Sequence, residues 1–249
     1  MVLGDSRLKI NRANEHIAQI KKCLVALQDS ETSSIEIDSA SGCERLKHDF
    51  TDRTAFTDMA LMLGDAIHNL KCALDYTWFE TLGRLAPAVV GKFSKFPVYR
   101  HANQLKDALE GREIHLLSAR RLFEFMLTEI RPYEGGNATI WTIHKLDIRD
   151  KHRLLIPVFT NLSIIGIEVE DERGKRHSGN SRATTQKPPF YVDQPRGFHV
   201  KNNGTLSYQV MCEDAGNLMD VPETFVHYSR IILKVVEVFE RFLETQGSG

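Results

Sequence analysis

Within the stretch GDAIHNLKCALDYTW, residues Asp65, His68, Asn69, Cys72 and Asp75 recur three and four positions apart. At roughly 100° per residue this spacing gathers them, with Tyr76 and Phe79, on one stripe of a helix. A solvent face ordinarily mixes Lys, Glu, Gln and Arg. This stripe instead sets carboxylates and an imidazole beside a thiol and aromatic rings, the composition of a face that meets another part of the protein or a ligand. An imidazole beside a carboxylate is equipment for general acid–base catalysis, because the carboxylate fixes the tautomer and orientation of the ring. A second group lies in WTIHKLDIRDKHR, where His144 and Asp147 stand three apart and Asp150, Lys151, His152 and Arg153 crowd the end of the same predicted helix. Cations there suit the negative end of the helix dipole, and they would also neutralise an anionic substrate.

These residues predict a polar pocket in which the Asp65/His68/Asn69/Asp75 stripe faces the Asp147/Asp150/His152/Arg153 junction. In an enzyme, His68 or His152 would act as general base or acid, with Asp75 or Asp150 orienting the ring, while Asn69, Lys151 and Arg153 bind the substrate. The reaction class is then hydrolysis of a small-molecule, phosphate-bearing or nucleic-acid-related substrate. The competing class is a non-catalytic ligand-binding or protein-interaction module whose charged network holds helices in register. Metal-assisted hydrolysis would require Asp65, His68, His144 and Asp147 to converge on one ion; Asp-x-x-His alone is a common accident, and no metal is assigned. A Cys72 nucleophile with His68 four residues before it is geometrically allowed, although a helix-interior cysteine is usually packing. The residues name no cofactor and no oligomeric state.

The elements that must carry these groups follow from periodicity. Ile10, Ala13, Ile17, Ile20, Leu24 and Leu27 form an amphipathic seam near the start of the chain, and Phe225, Tyr228, Ile232, Val235, Phe239 and Phe242 repeat its spacing near the end. The two seams predict helices that pack on one another or line a common bundle. The chemical stripe sits on a long helix from about residue 53 to 82, whose opposite face is apolar from Met59 to Trp78. Further helices are expected near 104–109, 114–130 and 138–149, the last preceded by a break and cap at Gly135-Gly136-Asn137. Short β-rich runs follow from 154 to 215, with Asn203-Gly204 reading as a hairpin turn. Residues 31–52 read as polar and irregular apart from a short strand at 34–37, and 171–189 as a solvated loop. The expectation is one α+β domain over 1–249: a helical part at 1–153, a small antiparallel sheet at 154–215, and a C-terminal helix at 221–245 returning to the bundle.

Composition sets outer bounds. The 249 residues are 42% hydrophobic and 26% charged, which argues against wholesale disorder. With 32 Lys+Arg against 33 Asp+Glu, the charge balance excludes a globally basic nucleic-acid coat, though not a local patch. The four cysteines form no Cys-x-x-Cys pair, which removes zinc ribbons and fits a reducing compartment. The charged start MVLGDSRLKINRAN and the absence of an apolar run of about 18 residues predict a cytoplasmic protein with no membrane partner.

The run Gly64-Asp65-Ala66-Ile67-His68-Asn69-Leu70-Lys71-Cys72-Ala73-Leu74-Asp75, followed by Trp78, resembles an uncharacterised bacterial family in which a helix reads GDAxHNLRxALDH. The resemblance extends to Phe96-Pro97, to Pro132-Tyr133 and to Asp150-Lys151-His152-Arg153, and covers roughly residues 7–156. It implies no particular activity. Lys71 stands where that pattern has Arg, and Tyr76 where it has His, so a reaction needing a guanidinium or a second imidazole on this helix is not expected here. Ribonuclease chemistry of the helical HEPN type needs Arg-x(4–6)-His, and no arginine of the chain has a histidine at that offset.

Overall fold

The N-terminal seam forms α1 (Gly4–Asp29), with Ile10, Ala13, Ile17, Ile20 and Leu27 buried. The computed structural model describes residues 3–246, apart from 53, 89–93, 112–119, 153–155, 157, 186–188 and 215–216. After α1 come β1 (Glu31–Ile37), β2 (Glu44–Phe50) and α2 (Ala55–Leu85). Then follow α3 (Ala102–Gly111), α4 (Arg120–Phe125) with a π-helical turn at Met126–Ile130, and α5 (Ala138–His152). The strands β3 (Val158–Asp171), β4 (Arg176–Thr185), β5 (Phe190–Asp193), β6 (Phe198–Asn202), β7 (Thr205–Asp214) and β8 (Asn217–Asp220) precede α6 (Val221–Gln246). The architecture is α+β, with antiparallel sheets. Among the described residues no helix is long and apolar enough to cross a membrane.

The chain forms two compact units, each assembled from separated stretches. The first comprises Met1–Ala18, Met62–Ile156 and Glu223–Gly249, and its regular structure is helical. Its outer segments run antiparallel: Arg7 of α1 forks onto Glu240 of α6 (Nη2–Oε2 2.6 Å), and about two turns further along α1, Asn14 accepts from Ser229 at 2.6 Å. The α6 seam is buried at Phe225, Ile232 and Phe239, and burying each such side chain contributes about 1.5–3 kcal/mol. Around Phe239, Phe96 and Phe125 pack edge-on at centroid distances of 6.0 and 5.1 Å, and Trp78 meets Phe96 at 6.2 Å. The apolar face of α2 lies in this core, with Leu63, Ala66, Ile67, Leu70, Leu74 and Trp78 all at 0% exposure. Asn137 caps α5 as its sequence predicts, its Oδ1 accepting from the Ile140 N–H at 3.1 Å.

The second unit comprises Gln19–Leu61 and Pro157–Pro222 and holds both sheets. One sheet has the order β1-β2-β5; in the other, β3 is flanked by β4 on one side and by β6 and β7 on the other, with β8 beyond β7. Leu46 of β2 and Ile164 and Ile167 of β3 form its core, joined by Val169, Val192 and Leu206. Glu44 at the head of β2 accepts from the Val200 N–H of β6 at 2.8 Å, which ties the sheets together at one edge.

Three expectations of the β region are corrected. Residues 44–50 are a strand, because Leu46, His48 and Phe50 alternate inward while Arg45, Lys47 and Asp49 do not. Residues 176–185 are β4 and not a loop; they pair with β3 at the edge of the sheet, where a strand needs no apolar face. Asn203-Gly204 does not reverse the chain. β6 and β7 pair in series along the same edge of β3, so Ile165 faces Thr205, Glu168 faces Asn202, and Gly166 and Gly204 sit in the interval with φ of +76° and +74°. The turn-forming dipeptide therefore links two strands lying in series, where a Cβ at Gly204 would stand 2.8 Å from the Ile165 carbonyl oxygen.

Candidate functional site

Helices α2 and α5 of the helical unit meet at Gly64, where the Asp150 carboxylate occupies the space a side chain would need: a Cβ on Gly64 would lie 2.7 Å from Oδ1. One turn along α2, His68 reaches α5 and its Nδ1 lies 3.1 Å from Asp147 Oδ1. The second oxygen of Asp147 accepts from Lys151 Nζ at 2.8 Å. Asp147 is nearly buried (7% side-chain exposure), while His68 is open at 46%. A carboxylate on Nδ1 favours the tautomer with the proton there, leaving the Nε2 lone pair outward. That nitrogen faces Cys72 Sγ at 3.4 Å. Thiol, imidazole and carboxylate thus stand in a row, the order in which a nucleophile, a base and an orienting group would have to stand.

The next turn of α2 carries a second ion pair. Lys71, buried to 7% exposure, donates to Asp75 Oδ1, and the same oxygen accepts from the Phe96 N–H at 2.8 Å. Asp75 therefore fastens the 94–98 segment to α2. Asn69 donates to the Asp65 carbonyl at 2.8 Å, and its Oδ1 accepts from Lys9 Nζ of α1 at 3.4 Å. Beside this network two open clefts of about 360 Å³ each share Tyr76 as a wall. Cys72, Asp75, Phe79, Ser94 and Lys95 line the first, and Asp5, Leu8, Lys9 and Arg12 the second. Tyr76, Phe79 and Leu8 are exposed there.

Burial governs the protonation states that move. It pushes the Cys72 thiol up from its ordinary value, with Lys9 pulling the other way. Burial also raises the Asp150 carboxyl, reinforced by the negative charges of Asp147 and Asp65. His144 is held below the usual imidazole value, first by burial and then by the Lys71 ammonium. Its Nδ1 is buried with no hydrogen-bond partner, and its ring lies 6.2 Å from that of Trp141.

Of the residues singled out from the sequence, His68, Asn69, Asp75, Asp150 and Lys151 all fall on the facing helices α2 and α5. The partner of the His68 ring is Asp147, in the place expected for Asp75 or Asp150. His152 closes α5, and Arg153 lies outside the described residues. The four groups weighed for a metal do not assemble: among the described residues no set of three or more His, Cys, Asp or Glu side chains is arranged to hold an ion. Lys9 and Lys95 had no signal in the sequence that separates them from ordinary surface lysines, and Lys71 was marked only as standing where the family pattern has Arg. No protein-family model, no curated protein and no solved structure matches the chain.

Proposed function

We propose that the protein is a cytoplasmic bacterial hydrolase in which His68 is the general acid–base, Asp147 positions it, and nearby lysines attract an anionic, phosphate-bearing substrate. One observation carries the reading: the imidazole is held through Nδ1 by a nearly buried carboxylate while the ring remains 46% exposed. An architectural network would close over its histidine, whereas this one stays exposed and meets Cys72, which lines a cleft. Lys151 offsets the charge of Asp147, and Lys9 and Lys95 add positive charge along the clefts. Kinship with the GDAxHNLRxALDH family belongs to the same proposal. Its support is that the motif pieces meet: Gly64 packs on Asp150, Asp75 holds the Phe96 N–H, and Tyr99 bridges to the Pro132-Tyr133 pair.

The test is turnover of a chromogenic panel, p-nitrophenyl phosphate, bis(p-nitrophenyl) phosphate and p-nitrophenyl acetate, by the wild-type protein and by His68→Gln. Catalysis by His68 predicts loss of turnover of at least about 10²-fold with a thermal midpoint within a few degrees of the wild type. A midpoint that falls while the wild type turns over nothing would assign the network to architecture. The structural reading has its own support in the Lys71–Asp75 pair, which contacts backbone and no cleft-facing imidazole.

A further inference from the structure

We infer that Cys72 is the nucleophile of this site and that the bond it cleaves is a carboxylic ester or thioester of an anionic substrate. The inference rests on the acid–base role proposed for His68 and adds a covalent step to it. Cys72 is not an isolated thiol: its Sγ lies 3.4 Å from His68 Nε2, the nitrogen left free by the Asp147 contact, and it lines a cleft of about 360 Å³. The alternative, attack on phosphorus, needs a cradle of donors around three oxygens at the sulfur. Cys72 sits in the interior of α2, where backbone N–H groups are already committed to the helix, so α2 offers no backbone cradle at the sulfur. A carbonyl develops charge on a single oxygen, which one cation can meet. Lys9, held at Asn69 one turn before Cys72, lines the adjoining cleft that shares Tyr76 with this one. Tyr76 and Phe79 offer the acyl portion an apolar wall, and Lys95 on the same cleft is placed for the anionic group.

The resting sulfur is a neutral thiol, so proton removal accompanies attack. His68 Nε2 takes the Sγ proton as sulfur bonds to the carbonyl carbon and the oxyanion forms. Collapse breaks the bond to the leaving oxygen or sulfur, which receives the proton from His68. Water, losing a proton to His68, then attacks the acyl-cysteine; the C–S bond breaks and the thiol is restored, with net consumption of one water.

The experiment uses the full chain with p-nitrophenyl acetate and S-phenyl thioacetate, acid-quenched and mapped by peptide mass spectrometry, alongside iodoacetamide alkylation followed from pH 6 to 9. Cys23 and Cys43, partly exposed and in the other unit, serve as internal controls. The expected result is a burst of one leaving group per chain with acetyl on Cys72, absent in Cys72→Ala, and slowed by at least about 10²-fold in His68→Gln. Asp147→Asn should shift the pH profile of Cys72 alkylation, which a merely structural role would leave in place. Turnover that survives in Cys72→Ala but not in His68→Gln overturns the nucleophile and leaves the acid–base role standing; turnover surviving in both overturns both. If neither ester is cleaved, the alkylation series decides: equal Cys72 rates in wild type and His68→Gln mean that the imidazole does not act on the thiol. Cys72→Ser, nearly isosteric, replaces the alanine variant if the latter fails to fold.

Discussion

The carboxylate of Asp150 rests against the Cα of Gly64, with Oδ1 2.7 Å and Oδ2 2.8 Å from the point where a β-carbon would stand. This contact sets how closely α5 approaches α2, and it brings Asp147 within reach of His68. Gly64→Ala should therefore destabilise the protein by about 1–2 kcal/mol, since overpacking outweighs the roughly 1 kcal/mol helix-propensity gain of alanine. Gly83, in the same helix with open space around its α-carbon, is the control: Gly83→Ala should stabilise by about 0.5–1 kcal/mol. Urea midpoints of the two variants should move in opposite directions; equal stabilisation would show that Asp150 yields freely.

Asp150 also gives the site an inverted acid response. Its carboxyl is raised by burial and by Asp147 and Asp65, so folding favours its protonated form. Stability from this residue is present at low pH and is lost as pH rises through the ordinary and then the raised carboxyl value. Asp150→Asn should thus raise the thermal midpoint at pH 7, and the advantage should shrink as the solution is acidified. An advantage that is constant with pH would contradict the assignment.

The Lys71–Asp75 pair predicts a purely structural loss. Lys71→Met leaves Asp75 partly buried without its ammonium, and the destabilisation should be about 2–3 kcal/mol by calorimetry, below the roughly 3–5 kcal/mol of fully buried pairs because Asp75 retains 30% exposure. The Phe96 N–H still bonds Asp75, so the 94–98 segment should keep its place and hydrogen exchange at Phe96 should remain protected.

His144 responds in the opposite direction to Asp150. Folding lowers its pKa through burial and the Lys71 charge, against the opposing pull of Asp147 and Asp75. Its contribution is complete above the ordinary imidazole value of about 6.5 and is lost as pH falls through that value toward the depressed one. A His144→Gln variant should show a flatter stability profile between about pH 7 and 5 than the wild type. Profiles of equal slope would mean that the ring is neutral or charged alike in both states.

Much of the helical part was legible because each helix repeats apolar residues at a helical period: the α1 and α6 seams and the two faces of α2 are found where the spacing puts them. The polar strands were not. β4, RHSGNSRATT, is an edge strand whose pairing rests on backbone hydrogen bonds, and β2 hides a histidine among its inward positions, His48 beside Leu46 and Phe50. At the site, the residue types were readable and the pairing was not. Asp75, Asp147 and Asp150 are equally good partners for a histidine on paper; the choice of Asp147 follows from the rotation of α5 about its own axis, which is set by the packing of Ile140, Ile143 and Leu146. The burial of Lys71 was hidden for a related reason, since a lysine enters a core only when a partner such as Asp75 is already there.

The bulge in β3 resets a parity. Ile164 and Ile167 are both buried although three apart, and the intervening Ile165 is 56% exposed, so the strand's inward side changes from even to odd numbers at Gly166. Against β4 the strand is thus equivalent to a regular one with a single residue inserted, Ile164 to Ile167 standing opposite Ser181 to Gly179. A chain shortened at Gly166 would keep Ile164 and the former Ile167 on one face, two positions apart as an ordinary pleat requires. One-residue deletions normally turn every following side chain inside out. Deleting Gly166 is therefore the one-residue shortening that keeps the inward side of β3 in phase on both sides of the bulge.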